Sequence, residues 1–128
     1  MIEIKLKEIV NNINALKKLS EGSFNGKVAF QIARLLKKVE TEIEIFNTSR
    51  MTLLKKYGEK DEDGELKVDG NNNYVIKKEY RQNFVEELNE MLESSIKINV
   101  EKIDYKDIEK IEFTPSEAMA LEEFVNFD

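Results

Sequence analysis

The spacing of apolar residues near the start of the chain predicts a strand followed by a helix. Apolar and charged residues alternate over residues 1–6, which is typical of a short half-buried strand. The apolar spacing then changes to three and four as far as Leu19, so a first helix is expected to end near Ser20. Residues 22–26 are rich in turn formers and predict a break.

The clearest pattern in the sequence predicts one long helix. From Val28 to Tyr57 apolar residues recur mostly three or four positions apart, which describes an apolar stripe over about eight helical turns. Gly58 follows where a helix commonly ends, and Lys55 and Lys56 suit the negative end of the helix dipole. Because such a stripe must be covered, we expect a companion helix from this chain or from another copy.

The middle of the chain predicts a reversal and a returning helix. Residues 59–73 are polar and rich in turn formers, and the short apolar runs Leu66–Val68 and Tyr74–Ile76 flank an Asp-Gly step. This pattern favours a small β-hairpin, with a mobile loop as the alternative. A third helix is predicted over residues 78–94, so residues 27–94 would form an antiparallel helical hairpin whose tip is residues 59–76.

The last third of the chain predicts a small sheet and a short helix. Residues 96–100 alternate as a strand does, and residues 111–113 are a second candidate strand. Thr114, Pro115 and Glu117 have the spacing of an N-cap, an N1 proline and a capping-box Glu. The predicted fold is therefore α+β and mainly helical. It is a single domain over residues 1–128, with a sheet from residues 1–6, 96–100 and 111–113 and a short C-terminal helix.

Composition excludes several kinds of chemistry. The chain has 128 residues, no Cys and no His, so disulfides, thiol catalysis, zinc sites and Ser-His-Asp catalysis are ruled out. Glycine-rich phosphate-binding motifs are also missing from the sequence. We therefore predict a protein that is not an enzyme and that has no cofactor and no metal. With neither a signal-peptide pattern nor an apolar run of membrane length, a cytoplasmic location is expected.

Charge is distributed unevenly along the chain. Residues 1–57 carry 11 Lys and Arg against 6 Glu, whereas residues 58–128 carry 9 against 20 acidic residues, and the total is −6. Two interpretations are open: the halves neutralise each other by packing, or each presents a surface to a partner. In either case an acidic chain is not expected to bind nucleic acid directly, because such binding depends on neutralising phosphates.

Two acidic patterns suggest metal chemistry and fail on inspection. Asp61, Asp63, Glu65 and Asp69 resemble a calcium loop, but Gly64 is fourth and Asn72 twelfth counting from Asp61, where an EF-hand needs Gly sixth and Glu twelfth. The Glu65-Leu66-Lys67 run resembles part of a magnesium nuclease site, and the same spacing occurs by chance at Glu3. A solvated turn is the better interpretation of both.

Two groups of side chains are candidates for binding a partner. Helix three carries an acidic face, interpreted either as a surface for a basic partner or as side chains that pair with Lys or Arg of helix two. The terminal helix carries two aromatic residues that could dock on a neighbour. These candidates are Glu86, Glu87, Glu90, Glu93, Phe124 and Phe127.

Several segments of the chain resemble a family of small uncharacterised phage and prophage proteins of Gram-positive bacteria. The segments are KVAFQIARLLKKVETEI, KYGEKDEDGELKV and IKINVEKIDYKDIEKIEFTPSEAMALEEF, which follow the N-terminal strand and helix. The resemblance implies a phage origin and a bacterial host cell, and it brings no catalytic residues.

These observations predict a non-enzymatic, phage-encoded protein that binds a host or phage protein through its helical hairpin or its acidic surface. One alternative is an inhibitor that mimics nucleic-acid charge towards a host or defence factor. Another is an assembly chaperone or minor virion component. A homo-oligomer is also possible, and no contact with a membrane is expected.

Overall fold

The computed structural model describes residues 1–127 and confirms an α+β fold that is mainly helical. The chain divides into two compact units. The first unit consists of Met1–Ile43 and the chain from Ser94 onward, and the second is Glu44–Glu93. The predicted single domain is neither confirmed nor contradicted by this division, because a compact unit need not fold by itself.

The first unit contains two small sheets, and one of them differs from the prediction. Strand β1 (Ile2–Lys5) pairs antiparallel with β2 (Ser95–Ile98). The alternate side chains of β1 are buried, as the period-two pattern predicts. The second sheet is a parallel pair of two-residue strands, β3 (Ile103–Asp104) and β4 (Val125–Asn126).

The predicted strand at residues 111–113 is wrong. The Ile111 N–H donates to the Ile108 carbonyl at 3.0 Å, so this segment turns away from helix α4 (Tyr105–Ile108). Ile111 and Phe113 pack against the core from this irregular segment. A run of three residues carries too few alternations to distinguish a strand from a loop with two inward side chains.

Helix α1 (Leu6–Lys18) extends β1 directly and is followed by a 3₁₀ turn (Leu19–Glu21). Its neighbour in the first unit is helix α5 (Pro115–Leu121), whose predicted capping box is confirmed. The Thr114 hydroxyl accepts from the Glu117 N–H at 3.1 Å, and a Glu117 oxygen accepts from the Thr114 N–H at 2.9 Å. The same Glu117 oxygen lies 2.9 Å from Lys18 Nζ, which joins α5 to α1.

The core of the first unit is apolar, and within residues 1–127 no polar or charged residue is fully buried. Burial of these aliphatic side chains provides the main stabilisation of the unit. The completely buried members of the core are Ile9, Leu16, Leu19, Leu35, Val39, Ile103 and Phe124.

The long helix predicted from the apolar stripe is confirmed as α2 (Gly26–Tyr57), a helix of 32 residues. Asn25 caps its start, because its Oδ1 accepts from the Val28 N–H at 3.1 Å. At its end the Gly58 N–H donates to the Leu54 carbonyl at 2.7 Å. A Cβ at Gly58 would lie 2.4 Å from the Leu54 carbonyl oxygen, so only glycine fits at this position.

The second unit pairs the end of α2 with a returning helix. A 3₁₀ turn (Lys78–Tyr80) leads into helix α3 (Arg81–Leu92). The Tyr57 and Tyr80 rings contact each other with centroids 5.4 Å apart. No residue of α3 is fully buried, and the buried apolar side chains of this unit are Phe46, Leu54 and Tyr57. The helical pair therefore covers its apolar side chains only in part.

The tip of this helical pair is a small closed β structure, which agrees with the β interpretation. Three antiparallel bridges join Gly58 to Ile76, Lys60 to Leu66 and Val68 to Tyr74. Three hydrogen bonds form a ring inside them: Glu59 N–H to Val75 O at 2.8 Å, Lys67 N–H to Glu59 O at 2.8 Å, and Val75 N–H to Lys67 O at 3.0 Å. We call residues 57–77 the three-cornered cap.

Two corners of the three-cornered cap are the same turn, eight residues apart. Asp61 Oδ1 accepts from the N–H groups of residues 63 and 65, and Asp69 Oδ1 accepts from those of residues 71 and 73. Gly64 and Asn72 occupy equivalent positions with φ of 79° and 62°. At the third corner the Lys77 N–H donates to the Tyr57 carbonyl at 2.9 Å, so the two helices take the place of a third turn.

Candidate interaction surface

The acidic face predicted on α3 is divided by the structure. Glu86, Glu90 and Glu93 are exposed, whereas Glu87 is half-buried. Glu87 Oε1 lies 3.6 Å from Lys56 Nζ, so the alternative interpretation, pairing with helix two, is right for Glu87. A hydrogen bond with Tyr57, together with the attraction of Glu87, raises the pKa of Lys56. Glu87 therefore belongs to the packing of the helical pair, and the other three carboxylates lie on its surface.

The position of these carboxylates is unfavourable for an isolated helix. Glu90 lies in the last turn of α3 and Glu93 is its C-cap, and that turn carries no basic residue. Acidic side chains there oppose the helix dipole, at a typical cost of about 0.3–1 kcal/mol each. Glu86 and Glu90 are one turn apart and repel each other. Any basic side chain close to these carboxylates reduces both effects.

An apolar groove lies between the three-cornered cap and α3, and the carboxylates of Glu86, Glu90 and Glu93 follow its Val85 wall along the helix. It has a volume of about 380 Å³, and its walls include Tyr74, Phe84 and Val85. Val85 is 51% exposed and Tyr74 is 41% exposed. Asp69 and Arg81 stand at its edge and supply polar groups of both signs. We call this groove and the carboxylates of Glu86, Glu90 and Glu93 the α3 surface.

The predicted docking role of the terminal aromatic residues is wrong for Phe124. Its side chain is 0% exposed and lies in the core of the first unit. Near the end of α5 the sequence has apolar residues on two sides. The chain bends back there to pair β4 with β3, and this bend buries the side that carries Phe124. Phe127 is 56% exposed and its ring lies 5.5 Å from that of Tyr105, so it stays accessible on the first unit.

The first unit also contains a wide open cleft of about 1010 Å³. Its charged side chains are all at least partly exposed and have both signs, so the cleft does not favour one charge of ligand. These side chains are Lys27, Arg34, Lys102, Lys106, Glu101, Asp104 and Asp107.

The acidic turn at residues 61–65 has a structural role. The Asp61 carboxylate accepts two backbone N–H groups of its own turn. Across residues 1–127 no three acidic side chains come together in a way that could hold a metal ion. In the same part of the chain, none of the helices has the length and apolar character needed to cross a membrane.

Sequence reasoning missed Tyr74 and Val85 as surface residues. Both have apolar neighbours in the sequence. These neighbours favour a hairpin strand at Tyr74 and the buried side of a helix at Val85. A usable signal was present, because Asp61 and Asp69 begin two eight-residue segments, DEDGELKV and DGNNNYVI, that share the first Asp and have apolar residues at the sixth and eighth positions. That repeat indicates two equivalent turns, and the second turn places Tyr74 against α3.

Comparisons with known proteins identify no relative of this chain: no family model, no curated protein and no solved structure matches it. The resemblance to small phage and prophage proteins therefore stays a prediction, and the candidate surface is supported by its geometry alone.

Proposed function

We propose that this chain is a non-enzymatic, phage-encoded protein that binds a segment of another protein through the α3 surface. The segment would carry apolar side chains for the groove and Lys or Arg side chains for the carboxylates that follow Val85 along α3. The observation that carries the proposal is the exposure of Val85 on α3, a helix with no fully buried residue, and of Tyr74 on the three-cornered cap across the groove. The phage origin rests on the sequence resemblance.

The apolar part of the groove accounts for affinity. Complete burial of a valine side chain contributes about 1.5–3 kcal/mol, and since Val85 is 51% exposed, covering it contributes roughly half as much. Tyr74 adds a rigid ring that loses little conformational entropy on binding, which is why tyrosine is common among residues that dominate interfaces. Two such anchors suit a transient complex.

The carboxylates account for selectivity. Glu86 places a negative charge in the middle of α3, and Glu90 and Glu93 place two more at the C-terminal end of its dipole. Lys or Arg side chains of a partner lower the free energy of the complex through attraction to these exposed carboxylates, whereas an acidic segment is repelled by them. The same charges would accelerate association and make it sensitive to salt.

A pair of synthetic peptides tests this proposal. Two helical peptides share one apolar face, and their polar faces carry Lys in one and Glu in the other. We expect the Lys peptide alone to bind in a fluorescence-anisotropy titration, more weakly as salt is raised. Val85→Ser should raise its Kd about fivefold, equivalent to about 1 kcal/mol. Replacement of Glu86, Glu90 and Glu93 by Gln should weaken binding and remove most of the salt dependence.

A matched control separates the α3 surface from general charge. Glu109, Glu112 and Glu122 are exposed residues of the first unit, and their replacement by Gln removes the same charge elsewhere. This variant should bind like the parent. Equal binding of both peptides, or equal losses in both triple variants, would contradict the proposal. For the natural partner, a basic nucleic-acid-handling protein would favour the inhibitor alternative, and a phage structural protein would favour assembly.

A further inference from the structure

The outer side of α2 in the second unit carries a second line of residues with helix-pairing geometry. Glu44, Thr48, Met51 and Lys55 follow one another by four, three and four positions, the spacing of a coiled-coil seam. Glu44, Thr48 and Lys55 are exposed and Met51 is half-buried. We call these four residues the outer seam. It lies opposite the apolar stripe that packs inside the unit.

The surface at the outer seam has a groove into which a side chain of a second helix fits. A shallow groove of about 340 Å³ is lined by Asn47, Thr48, Met51, Thr52 and Lys55. Four of these, at 48, 51, 52 and 55, have the i, i+3, i+4, i+7 arrangement that surrounds an inserted side chain in knobs-into-holes packing. Within residues 1–127, the residues that line this groove all come from α2.

Met51 and Thr52, in the middle of this surface, can be desolvated at low cost. Between Ile45 and Leu54 the only charged residue is Arg50, in a chain that is 36% charged. The Thr52 hydroxyl donates to the Thr48 carbonyl at 3.1 Å, so burying it leaves no donor without an acceptor. Ile45 is 54% exposed beside the seam and would gain cover from a neighbour.

The charges at the two ends of the outer seam determine the partner. Glu44 begins the seam and Lys55 ends it, and neither forms an ion pair with another residue in the part of the chain that the structure describes. An antiparallel second copy, related by a two-fold axis between residues 49 and 50, brings Glu44 opposite Lys55 at both ends. It also sets Thr48 opposite Met51. A parallel copy would place like charges together.

We infer that two copies of this chain associate through the outer seam as an antiparallel, two-fold symmetric dimer. Thr48 of each copy inserts into the hole formed by residues 48, 51, 52 and 55 of the other. The contact covers about three turns of one helix, which is far below the roughly 800 Å² per partner of a stable interface. The dimer is therefore weak and forms as concentration rises. This inference is independent of the proposed function, because the α3 surface takes no part in it.

Charge exchange tests the inference by sedimentation equilibrium over a range of protein concentrations. Glu44→Lys sets two lysine side chains against each other at both ends, and Lys55→Glu sets two glutamates together, so each variant should raise the dimer Kd about tenfold or more. The double variant restores opposite charges and should dimerise like the parent. An equimolar mixture of the two single variants should form heterodimers, because each supplies the sign that the other lacks.

Two controls keep the result clear. Far-ultraviolet circular dichroism should show that each variant remains folded, since Glu44 and Lys55 are exposed. Lys38→Glu changes charge at another exposed residue of α2 and should leave the Kd unchanged. A parent protein that stays monomeric at about millimolar concentration would overturn the inference. So would single variants that dimerise as the parent does, or a double variant that is not rescued.

Discussion

Replacing Phe124 by Ala should strongly destabilise the first unit. Its side chain is completely buried, and its carbonyl accepts from the Ile103 N–H at 2.9 Å, which joins the segment between α5 and β4 to β3. Truncation of such a ring removes its buried area and leaves a cavity, at a cost of about 3–5 kcal/mol. A domain of this size has a free energy of unfolding of about 5–15 kcal/mol, so the loss is a large share. The expected decrease in Tm is roughly 10–20 °C.

Thermal and urea unfolding followed by circular dichroism measure the effect, and Phe127→Ala is the matched control. Phe127 is the same residue type three positions away, but it is exposed and touches Tyr105 at its edge. Loss of an exposed aromatic pair costs about 1 kcal/mol, so its Tm should fall by only a few degrees. If Phe124→Ala unfolds like the parent, or if Phe127→Ala is the more damaging change, the assignment of Phe124 to the core is wrong.

Two further predictions concern the cap and helix α5. Residues 64 and 72 both need a positive φ, which glycine alone adopts without strain. Urea unfolding should therefore show that Asn72→Gly raises the free energy of unfolding and that Gly64→Ala lowers it, each by about 1 kcal/mol. Equal effects of the same sign would refute the equivalence of the two turns. The hydrogen bond from the Thr114 backbone N–H, followed by that from Lys18, lowers the pKa of Glu117, so its folded value lies below its unfolded one. The lowered pKa stabilises the folded protein at neutral pH. This stabilisation is lost as the pH falls below the ordinary pKa of a Glu side chain and through the lower pKa of Glu117 in the folded protein. Glu117→Gln should therefore flatten the acid side of the Tm profile, and an unchanged profile would contradict that role.

Elements specified by local signals were predicted well. Helix α2 begins after a side-chain cap and ends at a glycine, and its apolar stripe is continuous, so nothing outside the segment is needed to recognise it. The capping box at Thr114 and Glu117 is similarly local, because it depends on residues three positions apart. The turn residues around Asp69 predicted a reversal, and the cap makes one there.

Pairings between distant segments were not predictable from one sequence. Strands β3 and β4 have two residues each and lie more than twenty positions apart, so neither has a period that could identify it. The same limit explains the error at residues 111–113. It also explains Phe124, because apolar spacing shows that a side chain needs cover but not which neighbour provides it.

In the three-cornered cap, some features follow from the local sequence and others from the tertiary structure. The local sequence specifies its eight-residue spacing, its two Asp-initiated turns and the positive φ at Gly64 and Asn72. Closure of the ring is a tertiary property, since Glu59 must meet both Lys67 and Val75, and only the return of the chain from α2 to α3 brings the third corner together.

The sequence by itself determined helices α1, α2, α3 and α5, the capping box at Thr114 and the reversal around Asp69, because each depends on residues within a few turns of one another. It missed the short helix α4, and its composition fixed the surplus of acidic charge. Only the tertiary structure decided which apolar side chains are enclosed and which are left for a partner. Phe124 is enclosed and Val85 is not, although both are apolar side chains near the edge of a helical stripe. The physical reason is that burial depends on the whole set of surrounding elements, and hydrophobic spacing specifies a direction without specifying what lies there.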